Sequence, residues 1–144
     1  MKYAKIVLRN KGKYFMYDYK LLMDKAKEAS KQSYSPFSRF AVGACVLAKS
    51  GKIYTGCNVE NSSFGMTICA ERCAIFKAVS EGEREISAIA IYSPNADDCN
   101  PCGACRQVMY EFQDDETEME IITESASELI VRKLSEYLPY GFKI

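Results

Sequence analysis

The sequence predicts an α/β fold in which helices cover both faces of one sheet. Apolar residues with helical spacing alternate along the chain with β-rich runs, in the order helix, two strands, helix, strand, helix, two strands. Helices on both faces bury such elements economically, because crossovers within a sheet pass right-handed over it. At 144 residues and 48% hydrophobic content, the chain has enough material for one domain with a substantial core.

The first half of the domain is predicted to contain one helix and a pair of strands. Residues 19–32 have apolar side chains at the i, i+3, i+4, i+7 spacing of a helix that packs on a sheet. Residues 40–48 and 52–57 are β-rich, and the short turn at 49–51 predicts that they pair as antiparallel neighbours.

The second half is predicted from the same two kinds of pattern. The order of its strands beyond Met119 does not follow from the sequence. The predicted elements are a helix over 69–80, a strand over 85–92, a helix over 102–112, strands over 119–123 and 128–131, and a short helix near 135–138.

Residues 1–16 are predicted to be a basic N-terminal extension that precedes a single domain at 17–144. They carry no acidic residue. A surface segment or tail is the favoured interpretation; a basic arm, a targeting peptide or an upstream start site, with Met16 as another start, are the alternatives. The basic residues are Lys2, Lys5, Arg9, Lys11 and Lys13.

Two cysteine motifs lie where helices are predicted to begin. Pro101 suits the first turn of a helix, because it has no N–H to leave unpaired and its φ is already helical. Cys102 and Cys105 are three residues apart, so they point to one side of that turn and can bind one metal ion. Cys69 supplies a third thiolate at the start of another helix. The set predicts a zinc site with a fourth position left over.

Glu71 follows Cys69 by two residues and predicts that the zinc site is catalytic. Residues i and i+2 of a regular helix do not share a face, so Cys69 must lie at an irregular helix entrance. Two helix N-termini and Arg72 would offset the excess negative charge of the thiolates. The fourth position would be open to water, whose pKa zinc lowers from about 15.7 to about 7, and Glu71 could carry its proton.

Composition narrows the chemistry and the compartment. The chain has no histidine, so acid–base work near neutral pH depends on a carboxylate, a thiolate or metal-bound water. Basic and acidic residues number 19 each, which favours a small-molecule substrate over nucleic acid. The 7 cysteines, without an export signal or a long apolar run, lead us to expect a soluble, cytoplasmic protein with no membrane contact.

The motifs resemble those of the cytidine deaminases, specifically the small, all-cysteine, homotetrameric type. The resemblance rests on Cys-Ala-Glu at 69–71, Pro-Cys-Gly-Ala-Cys-Arg-Gln at 101–107, and the segments 35–44 and 56–61, and it extends from about residue 18 to the C-terminus. It implies a three-layer α-β-α fold with a five-stranded mixed sheet and one zinc ion between the cysteine-bearing helices. The implied reaction is hydrolysis of cytidine and 2′-deoxycytidine to uridine, 2′-deoxyuridine and ammonia, in pyrimidine salvage.

The resemblance also implies roles for individual residues. Glu71 would be the catalytic proton shuttle, with zinc bound by Cys69, Cys102 and Cys105, and Arg72 beside the ligands. A homotetramer is expected, in which Phe64 and Phe142 approach a neighbouring subunit's pocket. The implied substrate contacts come from Phe40 at the pyrimidine ring, Asn58 and Glu60 at the ribose hydroxyls, and Ala70.

Three alternatives stay open on the sequence. An aminohydrolase for a cytosine-bearing antibiotic of the blasticidin type would use the same chemistry. Cys73 lies four residues after Cys69, so these two with Cys102 and Cys105 could form a closed, non-catalytic Cys₄ zinc module. A relative acting on polynucleotide could use the basic residues 1–16 as an electrostatic handle.

Overall fold

The structure, a computed structural model, describes residues 5–144. The elements lie close to the predicted ones, apart from a hairpin at the N-terminus. They are β1 (Lys5–Asn10), β2 (Lys13–Asp18), α1 (Tyr19–Ser30), β3 (Gly43–Ala48), β4 (Ile53–Cys57), α2 (Ala70–Ser80), β5 (Ile86–Tyr92), α3 (Gly103–Phe112), β6 (Glu120–Ser125), β7 (Glu128–Lys133) and α4 (Leu134–Tyr137).

A mixed sheet of five strands forms the centre of the domain, in the order β4-β3-β5-β6-β7. β3 pairs antiparallel with both β4 and β5, as the short turn between β3 and β4 predicts for the first of these pairs. β5 and β6 are parallel, so the chain must cross over the sheet between them through α3, and β7 returns antiparallel to β6. The predicted five-stranded mixed sheet is therefore confirmed.

The core is divided into two layers by the alternation of side chains along the central strands. Val46 of β3 and Ile89 of β5 belong to the cluster that includes α2 and α3, whereas Leu47 and Ala90 belong to the cluster that includes α1. Both strands are buried along almost their whole length because each face is covered by helices. This is the predicted three-layer α-β-α arrangement.

A close approach between α2 and β4 sets how far the helix lies from the sheet. A Cβ on Gly56 would lie 2.5 Å from the backbone nitrogen of Ala74 and 2.8 Å from the carbonyl oxygen of Ala70. Any side chain at this position would push the helix away from the strand. Gly56 therefore sets the distance of α2 from the sheet, and with it the place of the cysteine that precedes the helix.

β3 begins three residues later than predicted, at Gly43. Most backbone groups of residues 40–42 are bonded to side chains, although the carbonyl oxygen of Val42 accepts from the backbone N–H of Asn58 at 3.2 Å. Asn58 donates to the carbonyl oxygen of Phe40 at 2.7 Å and accepts from the N–H of Val42 at 2.9 Å, while Asn95 accepts from the N–H of Ala41 at 2.9 Å. The segment is thereby free to form one wall of a cavity.

Residues 5–18 form a β-hairpin that the sequence analysis did not predict. Its turn contains Lys11 and Gly12, both with positive φ, at 47° and 77°. Ile6 and Leu8 are buried in the cluster that includes α1, so the hairpin packs on the domain. Residues 1–4 of the predicted basic extension, including Lys2, lie outside the described residues. No helix within 5–144 is both long and apolar enough to cross a membrane.

Candidate active site

The three predicted ligand cysteines come together where α2 and α3 begin. Their Sγ atoms all lie within 4.8 Å of one another, and those of Cys69 and Cys102 are 3.8 Å apart. Cys69 is the N-cap of α2, with extended backbone angles of φ −70° and ψ 155°. This is the irregular helix entrance that the spacing of Cys69 and Glu71 requires.

Cys102 occupies the same position on α3, with φ −70° and ψ 168°. The helix therefore begins at Gly103, one residue later than predicted, and Pro101 precedes the cap instead of opening the first turn. Cys105 lies in the first turn and is fully buried, whereas Cys102 is exposed. The two cysteines still face one point because Cys102, the N-cap, directly precedes the first turn of α3, which contains Cys105.

The cluster fits a zinc ion bound by sulfur. Zinc–sulfur bonds of about 2.3 Å in tetrahedral geometry place two sulfurs about 3.8 Å apart. The separation of 3.8 Å between Cys69 and Cys102 has that value. Cysteine thiolates are also common zinc ligands in proteins. The residues present therefore suit zinc in both number and chemistry.

Cys73 does not belong to the cluster, which among residues 5–144 comprises Cys69, Cys102 and Cys105. The carbonyl oxygen of Cys69 accepts from the N–H of Cys73 at 3.1 Å, but the extended backbone angles of the cap residue turn the Cys69 side chain away from the helix face on which Cys73 lies. Cys73 instead faces β4, where its Cβ is 2.9 Å from the position of a Cβ added to Gly56. Burial raises the pKa of its thiol, which favours the neutral form. The alternative of a closed Cys₄ site is not supported by this arrangement.

Positive charge faces the sulfurs from several directions. Cys69 and Cys102 cap the N-termini of α2 and α3, where the helix dipoles favour an anion. The Arg72 guanidinium donates to Cys69 Sγ at 3.5 Å. Hydrogen bonds from the Cys105 thiol and then from Arg72 lower the pKa of Cys69 to about 5, against the effect of desolvation. The surroundings therefore favour the thiolate form of Cys69, whereas its hydrogen bond to Cys69 and its burial raise the pKa of the Cys105 thiol.

Glu71 is the only carboxylate among the described residues that line the cavity beside the cluster. Its side chain is 4% exposed, and this burial is the main reason that its pKa is raised to about 7. The charge of Cys69 raises the pKa further, while its own backbone and Arg72 oppose the shift. A carboxyl group with such a pKa can both accept and donate a proton at neutral pH.

The cavity has a volume of about 340 Å³ and runs from the sulfurs to the segment 38–42. Phe40 and Val42 make one side apolar, and Ala70 lies beside Glu71 at the start of α2. None of the residues that line the cavity is lysine or arginine, so it suits an uncharged ring. The lining residues are Ser38, Phe40, Val42, Asn58, Thr67, Cys69, Ala70, Glu71, Cys99, Asn100 and Cys102.

Asn58 is buried at the cavity, and its side-chain amide makes three hydrogen bonds to other residues of the chain. Its Oδ1 accepts from Ser33 Oγ at 2.5 Å and from the N–H of Val42 at 2.9 Å. Its Nδ2 donates to the carbonyl oxygen of Phe40 at 2.7 Å, which leaves one amide N–H for another partner. Asn58 therefore supports the wall that carries Phe40 as well as lining the cavity.

Glu60 lies on the same side of its segment as Asn58, with the exposed Val59 between them. Its carboxylate accepts from the N–H of Phe37 at 2.8 Å and from the hydroxyl of Ser38, and the Ser38 bond is the main reason that its pKa is lowered. A second cavity of about 410 Å³ lies here and shares Ser38 and Thr67 with the first. The two cavities together extend from the sulfurs to Glu60.

The two aromatic residues predicted to contact another subunit lie on the surface of the chain. Phe64 is 74% exposed and stacks edge-to-face on Phe37 at 5.6 Å between ring centroids, beside the second cavity. Phe142 is 68% exposed, and its carbonyl oxygen accepts from Gln107 Nε2 at 2.9 Å. Neither residue lines the cavity at the sulfurs.

Residues 16–121 match the model of the family described as the cytidine and deoxycytidylate deaminase zinc-binding region. The chain belongs to the cytidine and deoxycytidylate deaminase family. A cytidine deaminase of Sporosarcina psychrophila is 52% identical over 95 residues, which are 66% of this chain and 70% of that protein. One from Mycobacterium tuberculosis is 39% identical over 132 residues, covering 87% of this chain and 90% of that protein.

Solved structures of the family have the same fold as this deaminase. The crystal structure of a cytidine deaminase from Burkholderia pseudomallei is 37% identical, with a TM-score of 0.80 over 88% of this chain and 100% of that chain. A cytidine deaminase from Mycobacterium tuberculosis is 37% identical, with a TM-score of 0.77 over 89% of this chain and 99% of that chain.

Sequence reasoning missed five residues that line the cavity of this deaminase: Ser38, Val42, Thr67, Cys99 and Asn100. Ser38 and Val42 lie inside the motif at 35–44, and Asn100 directly precedes Pro101, so these three could have been found from their place in the motifs. Thr67 and Cys99 carry no such signal. Burial raises the pKa of Cys99 to about 11, so its thiol stays neutral beside the cluster.

Replacing single cysteines by serine should show whether three or four cysteines bind the zinc ion. We expect Cys102→Ser to lower zinc content well below one ion per chain, because a thiolate ligand is lost, and Cys73→Ser to leave it unchanged. Zinc per chain is measured by elemental analysis after gel filtration. Loss of zinc from Cys73→Ser, or its retention in Cys102→Ser, would contradict the assignment.

Burial of Glu71 should make the stability of the metal-free deaminase depend on pH. Its pKa of about 7 in the folded state exceeds the ordinary value of 4.5, so stability falls as pH rises between these values, where only the unfolded chain has lost the proton. Glu71→Gln removes this effect. Between pH 5 and pH 8, the free energy of unfolding of the variant should therefore rise relative to that of wild type by an amount on the order of 2–3 kcal/mol.

Urea unfolding of chelator-treated protein at several pH values measures this difference. Glu81→Gln is the control, since Glu81 lies exposed at the other end of α2. A difference between Glu71→Gln and wild type that does not change with pH would show that the carboxyl group is not destabilised by burial.

Proposed function

We propose that this chain is a zinc-dependent cytidine deaminase, which hydrolyses cytidine and 2′-deoxycytidine to uridine and 2′-deoxyuridine with release of ammonia. The observation that carries the proposal is the buried carboxyl group of Glu71 at the mouth of a three-sulfur cluster, inside a cavity without basic residues. Relatives that are 39–52% identical bear the name cytidine deaminase, which supports the same substrate here.

We propose one zinc ion per chain, held by Cys69, Cys102 and Cys105. When bound, zinc would supply a Lewis acid that lowers the pKa of water to about 7. The sulfur geometry, the two helix N-termini and Arg72 support this assignment. With no fourth protein ligand in the described cluster, the remaining position would be left for water from the adjoining cavity.

Glu71 is proposed to move the protons of the reaction. It takes a proton from the water that attacks C4 and gives it to N3 of the pyrimidine. It then takes the second proton from the hydroxyl added at C4 and gives it to the amine, so that the C4–N bond breaks and ammonia leaves. A folded-state pKa of about 7 suits both directions of transfer at neutral pH. Its burial excludes bulk water from these steps.

The cavity wall is proposed to hold the nucleoside. Phe40 would contact the pyrimidine ring, and Ala70 would border the ring at the start of α2, which fits their place in the lining. Glu60 would accept hydrogen bonds from ribose hydroxyls, since its carboxylate is already oriented by Ser38 and Phe37. Asn58 would use its remaining amide N–H.

We further propose a cytoplasmic homotetramer that acts in pyrimidine salvage. The exposure of Phe64 and Phe142 supports their predicted contact with a neighbouring subunit's pocket, because exposed large aromatic side chains commonly mark interfaces. The division into an extension at 1–16 and a deaminase domain at 17–144 stays a prediction. Of the alternatives, an antibiotic aminohydrolase would leave Glu60 without a ribose, and a polynucleotide would find no basic residue in the cavity.

Removing the charge of Glu71 while keeping its shape tests the proposal. Glu71→Gln should lower kcat/KM for cytidine by at least about 100-fold, since positioned proton transfer contributes roughly 10²–10⁴-fold. Turnover is followed by the ultraviolet absorbance change from cytidine to uridine. Glu81→Gln, on the same helix, should retain activity. A Glu71→Gln variant within about tenfold of wild type, or zinc-loaded wild type inactive on both nucleosides, would refute the proposal.

A further inference from the structure

The segment 98–101 leads directly into Cys102 and forms part of the cavity wall through Asn100. It is not part of any helix or strand. Asp98 has a left-handed φ of 45°, a conformation that side-chain-bearing residues adopt at a cost unless the surroundings hold it. The segment therefore needs contacts from elsewhere in the fold to keep its shape.

Asp98 is held by the two strands at the edge of the sheet. Its backbone N–H donates to the carbonyl oxygen of Glu124 on β6 at 2.9 Å. Its carboxylate accepts from both terminal nitrogens of Arg132 on β7, each at 2.8 Å, and from Thr123 Oγ1 at 2.5 Å. Arg132 is the main reason that the pKa of Asp98 is lowered to about 2, so the ion pair persists across the physiological range.

Tyr137 of α4 connects this ion pair to the residue that lines the cavity. Its hydroxyl donates to Asn100 Oδ1 at 2.7 Å and accepts from Arg132 Nη1 at 3.1 Å. Asn100 in turn donates through Nδ2 to the carbonyl oxygen of Asp98 at 2.6 Å. The side chains of Asp98, Arg132, Tyr137 and Asn100 thus form a ring of hydrogen bonds that closes through the backbone carbonyl of Asp98.

Arg106 adds a second connection between the segment and α4. It donates to the carbonyl oxygen of Pro101 at 2.8 Å and to that of Tyr137 at 3.1 Å. Its guanidinium also lies 5.3 Å from the Tyr137 ring centroid. The backbone on the N-terminal side of Cys102 is therefore fixed from α3, α4 and the sheet edge together.

Cys102 is the one exposed member of the sulfur cluster. Cys105 is placed by its burial in the core, whereas no comparable packing places Cys102. Its carbonyl oxygen accepts from the N–H of Arg106 in α3 at 3.0 Å, and on its other side the backbone of the segment 98–101 sets where the residue lies. Thr123, Arg132 and Tyr137 all lie beyond residue 121, where the match to the family model ends.

We propose that the Asp98–Arg132 ion pair, joined to Asn100 through Tyr137, is a positioning device that holds Cys102 on the metal and Asn100 on the cavity wall. The proposal rests on the ligand set proposed above. Arg132, Asp98 and Tyr137 are positioning residues, since they act on the metal through the backbone of 98–101. Without the pair, Cys102 would leave the ion more often while Cys69 and Cys105 stay in place.

The test measures zinc release from the zinc-loaded protein to a chromogenic chelator. Arg132→Met keeps an aliphatic side chain and removes the guanidinium group that makes two hydrogen bonds to Asp98. Asp98→Asn removes the negative charge and keeps a residue that tolerates the left-handed φ. Both should release zinc about tenfold faster than wild type, at the low end of the 10–100-fold effects seen for outer-shell partners. Arg132→Lys should fall between them and wild type.

Lys133→Met is the matched control, because Lys133 follows Arg132 on β7 and loses an ion pair to Glu120 that does not reach the segment 98–101. It should release zinc at the wild-type rate. Cobalt-substituted protein gives a second readout, in which weakened sulfur coordination in Arg132→Met should reduce the intensity of the thiolate-to-cobalt charge-transfer band. Thermal unfolding is recorded for every variant.

A lowered Tm in Arg132→Met and Asp98→Asn, with release rates and cobalt spectrum as in wild type, would overturn the proposal and leave the pair a purely structural one. Cys102→Ser distinguishes this failure from failure of the ligand set. Fast zinc release from Cys102→Ser beside wild-type release from Arg132→Met would refute the positioning role alone. Wild-type release from Cys102→Ser would refute the ligand set and the positioning role together.

Discussion

The structure depends on the convergence of two helix N-termini at one point beside the sheet. Cys69 caps α2 and Cys102 caps α3, and Cys105 lies within the first turn of α3, so three sulfurs lie within 4.8 Å of one another. The sheet places both helices. Gly56 of β4 lets α2 pack closely on the sheet, and α3 lies in the crossover between the parallel strands β5 and β6. The sheet therefore sets the point at which the three sulfurs meet.

The same convergence explains the electrostatics of the site. The N-terminus of α2 and the Arg72 guanidinium favour the thiolate form of Cys69, so the protein holds a negative charge on this partly buried sulfur. Glu71 is buried next to that charge, so ionisation is costly and its pKa is raised. The arrangement is suited to proton transfer near neutral pH.

Features set by local sequence could be predicted, and features set by distant contacts could not. The periodic patterns and the cysteine spacing predicted the five strands, the main helices and the irregular entrance at Cys69, because each depends on neighbouring residues. The predicted start of β3 was wrong, because the side chains of Asn58 and Asn95, which lie far along the chain, accept hydrogen bonds from the N–H groups of Val42 and Ala41. The N-terminal hairpin was missed although its Lys11-Gly12 turn was visible. Contacts of Asp98 with Arg132 span 34 residues, a separation at which no pattern in one sequence points to a partner.

The central claim is that three cysteine sulfurs hold one metal ion and leave its fourth position to the cavity beside Glu71. X-ray absorption at the zinc edge of the purified, zinc-loaded protein tests it directly. The account predicts a first shell of three sulfur atoms at about 2.3 Å and one lighter atom at about 2.0 Å. A shell of four sulfur atoms, or one that contains fewer than three, would contradict it.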